Sequence, residues 1–165
     1  MKLDNLHQLY LLELKDLYDA EQRIIEALPK MIESAQSTEL RSALSMHLEQ
    51  THGHVSRLEE VFQIHNESPE REKCKGIIGI IDEDKVLVKH DENRDVRDAG
   101  IIAGAQKVEH YEIAGYGSVR TWAQQMGHTR AAQLLEQTLN EEKEADKKLT
   151  DIAMKSNVEA VRRAG

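Results

Sequence analysis

The sequence predicts an all-α protein, a four-helix bundle with one long crossover that carries a short fifth helix. Three observations lead there. Only 2 prolines and 4% aromatics stand against abundant Ala, Leu, Glu, Lys and Gln, a composition of helix formers. Apolar residues recur at helical spacing through four long stretches. Those stretches are separated by a short, a long and a short connection, the pattern of two helical hairpins joined by a crossover. At 165 residues the chain suits one compact domain, with residues 1–155 as the helical domain and 156–165 as a flexible C-terminal tail.

The first helix spans residues 3 to about 35, carried by Leu9, Leu14, Leu17, Ile24, Ile25 and Leu28, and Pro29 should kink or loosen it. The second follows "SAQSTE", where Ser37 or Thr38 can cap it, and its stripe runs Leu40, Leu44, Leu48, Val55, Leu58 and Phe62. Residues 66–75, charged and interrupted by Pro69, read as a loop. Residues 76–90 form a small helix ahead of a polar turn at "HDENRD". A third long helix over about 94–125 carries Ile102, Ala105, Tyr116 and Val119, and Gly127 marks its end. The fourth, about 129–155, carries Leu134, Leu135, Leu139, Leu149 and Ile152. This is ferritin-like connectivity. An up-and-down bundle with an insertion, or two hairpins that complete a bundle on dimerisation, fits the same pattern.

The formal charge of -8 argues against nucleic acid as a partner, because phosphate binding draws on clustered Lys and Arg. Cys74 is the single cysteine, which excludes an intramolecular disulfide and fits a reducing, cytoplasmic setting. The longest apolar run, "GIIGII" at 76–81, is far too short to span a bilayer, so no membrane association is expected.

Acids interrupt the apolar stripes. Glu21 lies in the row Leu17, Glu21, Ile24, Leu28; Glu109 and Glu112 lie in the row Ile102, Ala105, Glu109, Glu112, Tyr116, Val119; Glu142 and Asp146 lie between Leu139 and Leu149. On the second helix Glu49 and His52 sit one turn apart, with His52 beside the line from Leu48 to Val55. Burying an unpaired carboxylate costs several kcal/mol, so repeated inward acids need shared protons or a cation. Mixed carboxylate and imidazole donors without thiolate suit iron or manganese. One Glu on each of two helices, with Glu-x-x-His on the other two, defines a carboxylate-bridged dinuclear site. Glu21, Glu49, His52, Glu109 and Glu142 fit that scheme, with Glu49 or Glu109 as the bridge. Position 145 is alanine where a second histidine would stand, so Glu112 or Asp146 would fill its place.

Each of these acids also has a plainer reading, as an edge residue that snorkels to water or as a member of an intrahelical pair. A second site at His47, His52 and His54 is set aside, because their offsets place them on different parts of the helix and they read as surface histidines. His110 reads as a packing residue or a partner to a ligand. Tyr18, Tyr111, Tyr116 and Trp122 are candidate electron carriers or core residues. Cys74, in a charged loop, is a candidate thiol with no adjacent base.

The stretches "LYDAEQRIIEALPKM", "HLEQTHGHVSRLE", "VRDAGIIAGAQKVEHYEIAGYGSVRTWAQQMG" and "TLNEEKEADKKLTDIA" cover most of residues 6–153. Through them the chain resembles the bacterial ferritin-like proteins of the YciF and YciE type, which are linked to stress responses. The resemblance implies a five-helix ferritin-like subunit, usually a homodimer, related to rubrerythrin and other di-iron carboxylate proteins. Carried over, it implies metal positions at Glu21, Glu49, His52, Glu109, Glu112 and Glu142, without the rubredoxin-like Cys-x-x-Cys module. The expected function is a stress-response protein with a dinuclear iron or manganese site acting on oxygen or peroxide. As an enzyme it would be a non-haem oxidoreductase of peroxidase, catalase or ferroxidase type. The alternatives are a non-enzymatic bundle whose acids share protons or bind a structural ion, and a cage-forming iron store.

Overall fold

The computed structural model describes residues 3–88 and 93–162. They form five helices: α1 (Leu6–Ser34), α2 (Thr38–Ile64), α3 (Lys75–Val88), α4 (Arg94–Gln125) and α5 (Thr129–Arg162). The four long helices and the short one in the crossover stand where periodicity placed them. α5 continues through Arg162, past residue 155, and of the turn expected at "HDENRD" residues 90–92 lie outside the described ones. α1 is assigned as one helix through Pro29. That proline lies in its last two turns, where only the bond to the Ile25 carbonyl is lost.

Local chemistry sets the boundaries. The Asn5 side chain accepts a hydrogen bond from the Gln8 amide at 2.9 Å, and Ser37 accepts from the Leu40 amide at 3.3 Å. Asn93 accepts from the Asp95 and Val96 amides. After α4 the chain turns at Gly127, whose φ of 80° is a left-handed conformation that a side chain would disfavour.

The order of buried residues gives the direction of each helix. One apolar half of the core holds Tyr10, Leu14, Leu58, Phe62, Val119 and Leu135; the other holds Ile24, Leu28, Leu44, Ile102, Ala105 and Leu149. α1 and α5 run from the first half to the second, while α2 and α4 run the other way. The crossover must therefore return the length of the bundle. α1 packs on α2, α2 on α5, α5 on α4 and α4 on α1, closing a ring, and α3 lies outside it across α1 and α4.

The crossover is anchored on α1. Buried Asp19 accepts from the Cys74 amide at 2.9 Å, from Arg71 Nε at 2.7 Å and from Arg23 Nε at 2.5 Å. Asp98 does the same for the α1–α2 turn, accepting from the Gln36 and Ser37 amides at 2.8 Å each. Cys74 is buried rather than presented by a charged loop. Burial pushes its thiol up to about 11, so it is held as a neutral packing residue.

Candidate metal centre

Between the two apolar halves lies a polar layer, built from one short segment of each long helix. α1 contributes Glu21, α4 Glu109 and Glu112, and α5 Glu142; all four carboxylates are buried, at 2% exposure or less. On α2 the buried face steps Leu40, Leu44, His47, Thr51, His54, Leu58, so this helix contributes His47 and His54. These two histidines are seven residues apart, two turns of helix, and so share one face. The expectation that they are surface residues is corrected: His47 is 6% exposed and His54 is fully buried.

The same register moves Glu49 and His52 out. Both are exposed, because positions 49 and 52 fall roughly 140° to 160° round the helix from 47 and 54. Neither joins the cluster, and Glu49 is not placed to bridge. Asp146 stands at the rim, its side chain 21% exposed, accepting from Gln106 Nε2 at 3.1 Å. His110, expected to pack or support a ligand, is 68% exposed and 3.7 Å from Asp146. The second imidazole comes from α2 and not from the alanine at 145.

The donor atoms converge in two overlapping groups. Glu21, His54 and Glu142 form one; His47, Glu109, Glu112 and Glu142 form the other, and within each group one atom per residue lies within 4.8 Å of the rest. Glu142 belongs to both. His54 Nδ1 is 2.8 Å from Glu142 Oε1 and 3.4 Å from Glu21 Oε1, and His47 Nε2 is 3.4 Å from Glu109 Oε1. These contacts are close but mostly not aligned as hydrogen bonds. Glu21 Oε2, Glu109 Oε2, both oxygens of Glu112 and of Glu142, both nitrogens of His47 and Nδ1 of His54 are buried without a hydrogen-bond partner.

The layer is held from outside. Tyr116 donates to Glu21 Oε1. His54 Nε2 lies 2.9 Å from Glu141 Oε2, and Arg57 clamps Glu141 through both oxygens at 2.8 Å each. A carboxylate on the far ring nitrogen fixes the imidazole and leaves Nδ1 turned to the cluster, the arrangement that orients histidine ligands in metal sites. Glu141, His47 and His54 are the residues of this layer and its support that were missed from the sequence. The buried steps of four, three, four, three and four along α2 would have found the histidines.

Electrostatics follow from burial of like charges. Burial, then the neighbouring Glu142, holds Glu109 and Glu112 well above the usual carboxylate range. Burial also raises Glu21. Burial opposes the charge on Glu142, but the adjacent His54 more than reverses it and leaves that carboxyl low. Burial likewise opposes the charge on His54, yet Glu21 and Glu142 lift it to about 10. Burial lowers His47. Burial thus favours the protonated forms of Glu109, Glu112 and Glu21, and the neighbouring acids favour a charged His54, in the positions where metal ions would compete.

An antiparallel ring of four helices, a full-length crossover and a mid-layer of carboxylates and imidazoles define a ferritin-like bundle. Residues 5–162 match the family described as "Domain of unknown function (DUF892)", and the chain belongs to that family. It is 41% identical over 155 residues to Protein YciF of Escherichia coli K12, covering 93% of each. The crystal structure of that E. coli stress protein superposes with a TM-score of 0.89, over 93% of this chain and 97% of the other. YcfI of Rhodopseudomonas palustris, described as a candidate structural protein, superposes with a TM-score of 0.88 at 42% identity, over 90% and 95%. A Xanthomonas campestris protein at 21% identity, with a TM-score of 0.75 over 95% and 96%, shares the fold. The family resemblance drawn from the four quoted stretches holds.

Proposed function

We propose that the mid-layer is a carboxylate-bridged dinuclear metal site, holding iron or else manganese, through which this YciF-like protein acts on oxygen or peroxide in a stress response. One observation carries the reading: buried, unpartnered donor atoms from four helices meet in two groups that share a carboxylate. Donor chemistry fits as well, since the set is oxygen and imidazole nitrogen without sulfur. Glu21, His54 and Glu142 would hold one ion, and His47, Glu109, Glu112 and Glu142 the other.

When bound, a pair of redox-active divalent ions supplies electrophilic activation and one-electron steps at adjacent centres. The chain's own residues do the rest. Tyr116 and Glu141 orient Glu21 and His54, and the two apolar halves close the layer on its two sides along the bundle. Glu109 and Glu112 hold protons in the metal-free protein and release them when an ion enters. We place the protein in the cytoplasm as a homodimer, for which the exposed apolar stripe Met154, Val158 and Val161 on α5 offers a surface.

A second reading has its own support. The contact between His54 and Glu142 at 2.8 Å supplies an internal cation, so a non-enzymatic bundle could hold its acids by shared protons. Titration of chelator-stripped protein with Fe(II) or Mn(II) under argon separates the two. The dinuclear reading expects about two ions per chain and a stabilisation of about 2.7 kcal/mol for each ion once free metal reaches a hundredfold excess over its Kd, seen as a rise in Tm. No binding and an unmoved Tm with both metals would leave the non-enzymatic bundle.

A further inference from the structure

The polar layer has an apolar approach. A cavity of about 550 Å³ opens between α1, α2, α3 and α4, within the range of roughly 300–1,000 Å³ that holds small organic ligands. Its walls are Ile24, Leu28, Met31, Ile81 and Val108, and its floor includes His47 and Glu109 of the cluster. Lys30, Glu33 and Lys85 are exposed residues of its lining and mark the opening to solvent. A passage serving only hydrogen peroxide or water needs neither this volume nor these walls.

The buried polar atoms define what the end of a guest must be. In the metal-free protein, where no ion engages them, His47 has two unpartnered ring nitrogens and Glu109 an unpartnered Oε2, giving a hydroxyl-like group both a donor and an acceptor. Asp84, 6% exposed, also lines the cavity, with an unpartnered Oδ1. Its carboxylate lies directly over Gly104, where an added Cβ would come within 2.3 Å of the Asp84 Cγ, so the glycine makes room for the acid in that wall. A guest with a carboxylate end would have to bury its charge among these apolar walls, where the lining lysines, Lys30 and Lys85, stand only at the opening, so a neutral end is favoured.

We infer that this cavity binds a neutral organic hydroperoxide, its apolar body against Leu28, Met31 and Ile81 and its oxygen end against His47 and Glu109. The inference rests on the peroxide reading above and narrows it to a substrate class. Binding is tested without turnover, on chelator-stripped wild-type protein, with cumyl alcohol as a redox-inert analogue of cumene hydroperoxide and 2-methyl-2-phenylpropanoate, which carries a carboxylate in place of the hydroxyl, as its anionic counterpart. Calorimetry should show saturable binding of the alcohol and none of the carboxylate. Ala27→Phe and Ala105→Leu, which fill the cavity from two walls, should each weaken the alcohol by about tenfold or more, equivalent to ~1.4 kcal/mol. Circular dichroism melts and Co(II) binding are measured on both variants, so that loss of fold or of the metal centre is recognised. Absence of cumyl alcohol binding to the wild type, equal binding of the carboxylate, or undiminished binding by both folded variants would overturn the proposal. Failure of the wild type to bind Co(II), Fe(II) or Mn(II) would instead remove the dinuclear reading, whatever the alcohol does.

Discussion

At the scale of single residues, His54 shows how the layer is poised. Its Nε2 is fixed by Glu141, and its Nδ1 lies among Glu21 and Glu142, so it is poised as a cation in the metal-free protein and would be a ligand in the proposed dinuclear site. Glu141→Gln keeps the shape but removes the charge that supports the imidazole. It should weaken metal binding about 10- to 100-fold while leaving the stoichiometry intact, measured by competition with a chromophoric chelator. The titration behaviour gives a second test. Stability that His54 contributes when protonated is present below pH 6.5 and lost as pH rises through about 10. Glu109 and Glu112, raised in the fold, act in the same direction, because above their ordinary value of 4.5 the native state keeps protons that the unfolded chain gives up. Metal-free protein should therefore melt at progressively lower temperature as pH rises from 5 towards 10. Saturating metal should flatten that decline, since ligation needs the same groups deprotonated.

At the scale of elements, Asp19 joins α1 to the crossover. Burial pushes its carboxyl up, but hydrogen bonds from Arg23, the Cys74 amide and Arg71 outweigh that and hold it low. Both arginines are partly exposed, so the larger loss on truncation is the buried Cys74 amide left without an acceptor. Asp19→Ala should cost about 2 kcal/mol in urea unfolding. In the wild type this contribution is present above pH 3.8 and is lost as pH falls through the depressed value. Elements like these differ in how far the sequence discloses them. The long helices were legible because each carries many apolar residues at one period, and Glu21, Glu109, Glu112 and Glu142 because each interrupts an unambiguous stripe. α2 was not. Leu48 and Val55 are only partly buried, yet they compete with Leu44 and Leu58 for the choice of face, and that choice brought in Glu49 and His52 and discarded His47 and His54. Asp19, Asp98 and Glu141 were illegible for another reason. Their partners lie on other elements, and no spacing along one helix encodes a contact made across the bundle.

At the scale of the whole molecule, a polar layer divides the core, and the proposed site would come at a cost in stability. A buried carboxylate without a partner stabilises nothing in the metal-free fold, and Glu112 is the sharpest case, fully buried with neither oxygen hydrogen-bonded. Replacing such a group by a hydrocarbon of similar size restores dispersion contacts and removes the cost of a polar atom in a dry interior. Glu112→Leu should therefore raise the unfolding free energy of the metal-free protein by about 1–4 kcal/mol. The same change removes one donor from the group of His47, Glu109 and Glu142, so the variant should gain less from metal than the wild type and bind fewer ions. Calorimetric melts of both proteins, stripped and metal-saturated, give the four numbers required. A crossing, with the variant more stable when stripped and the wild type more stable when loaded, is the expected outcome. A variant less stable in both states would mean that Glu112 holds the fold through its protonated carboxyl, as the proton-sharing bundle requires, and that the layer exists for structure before chemistry.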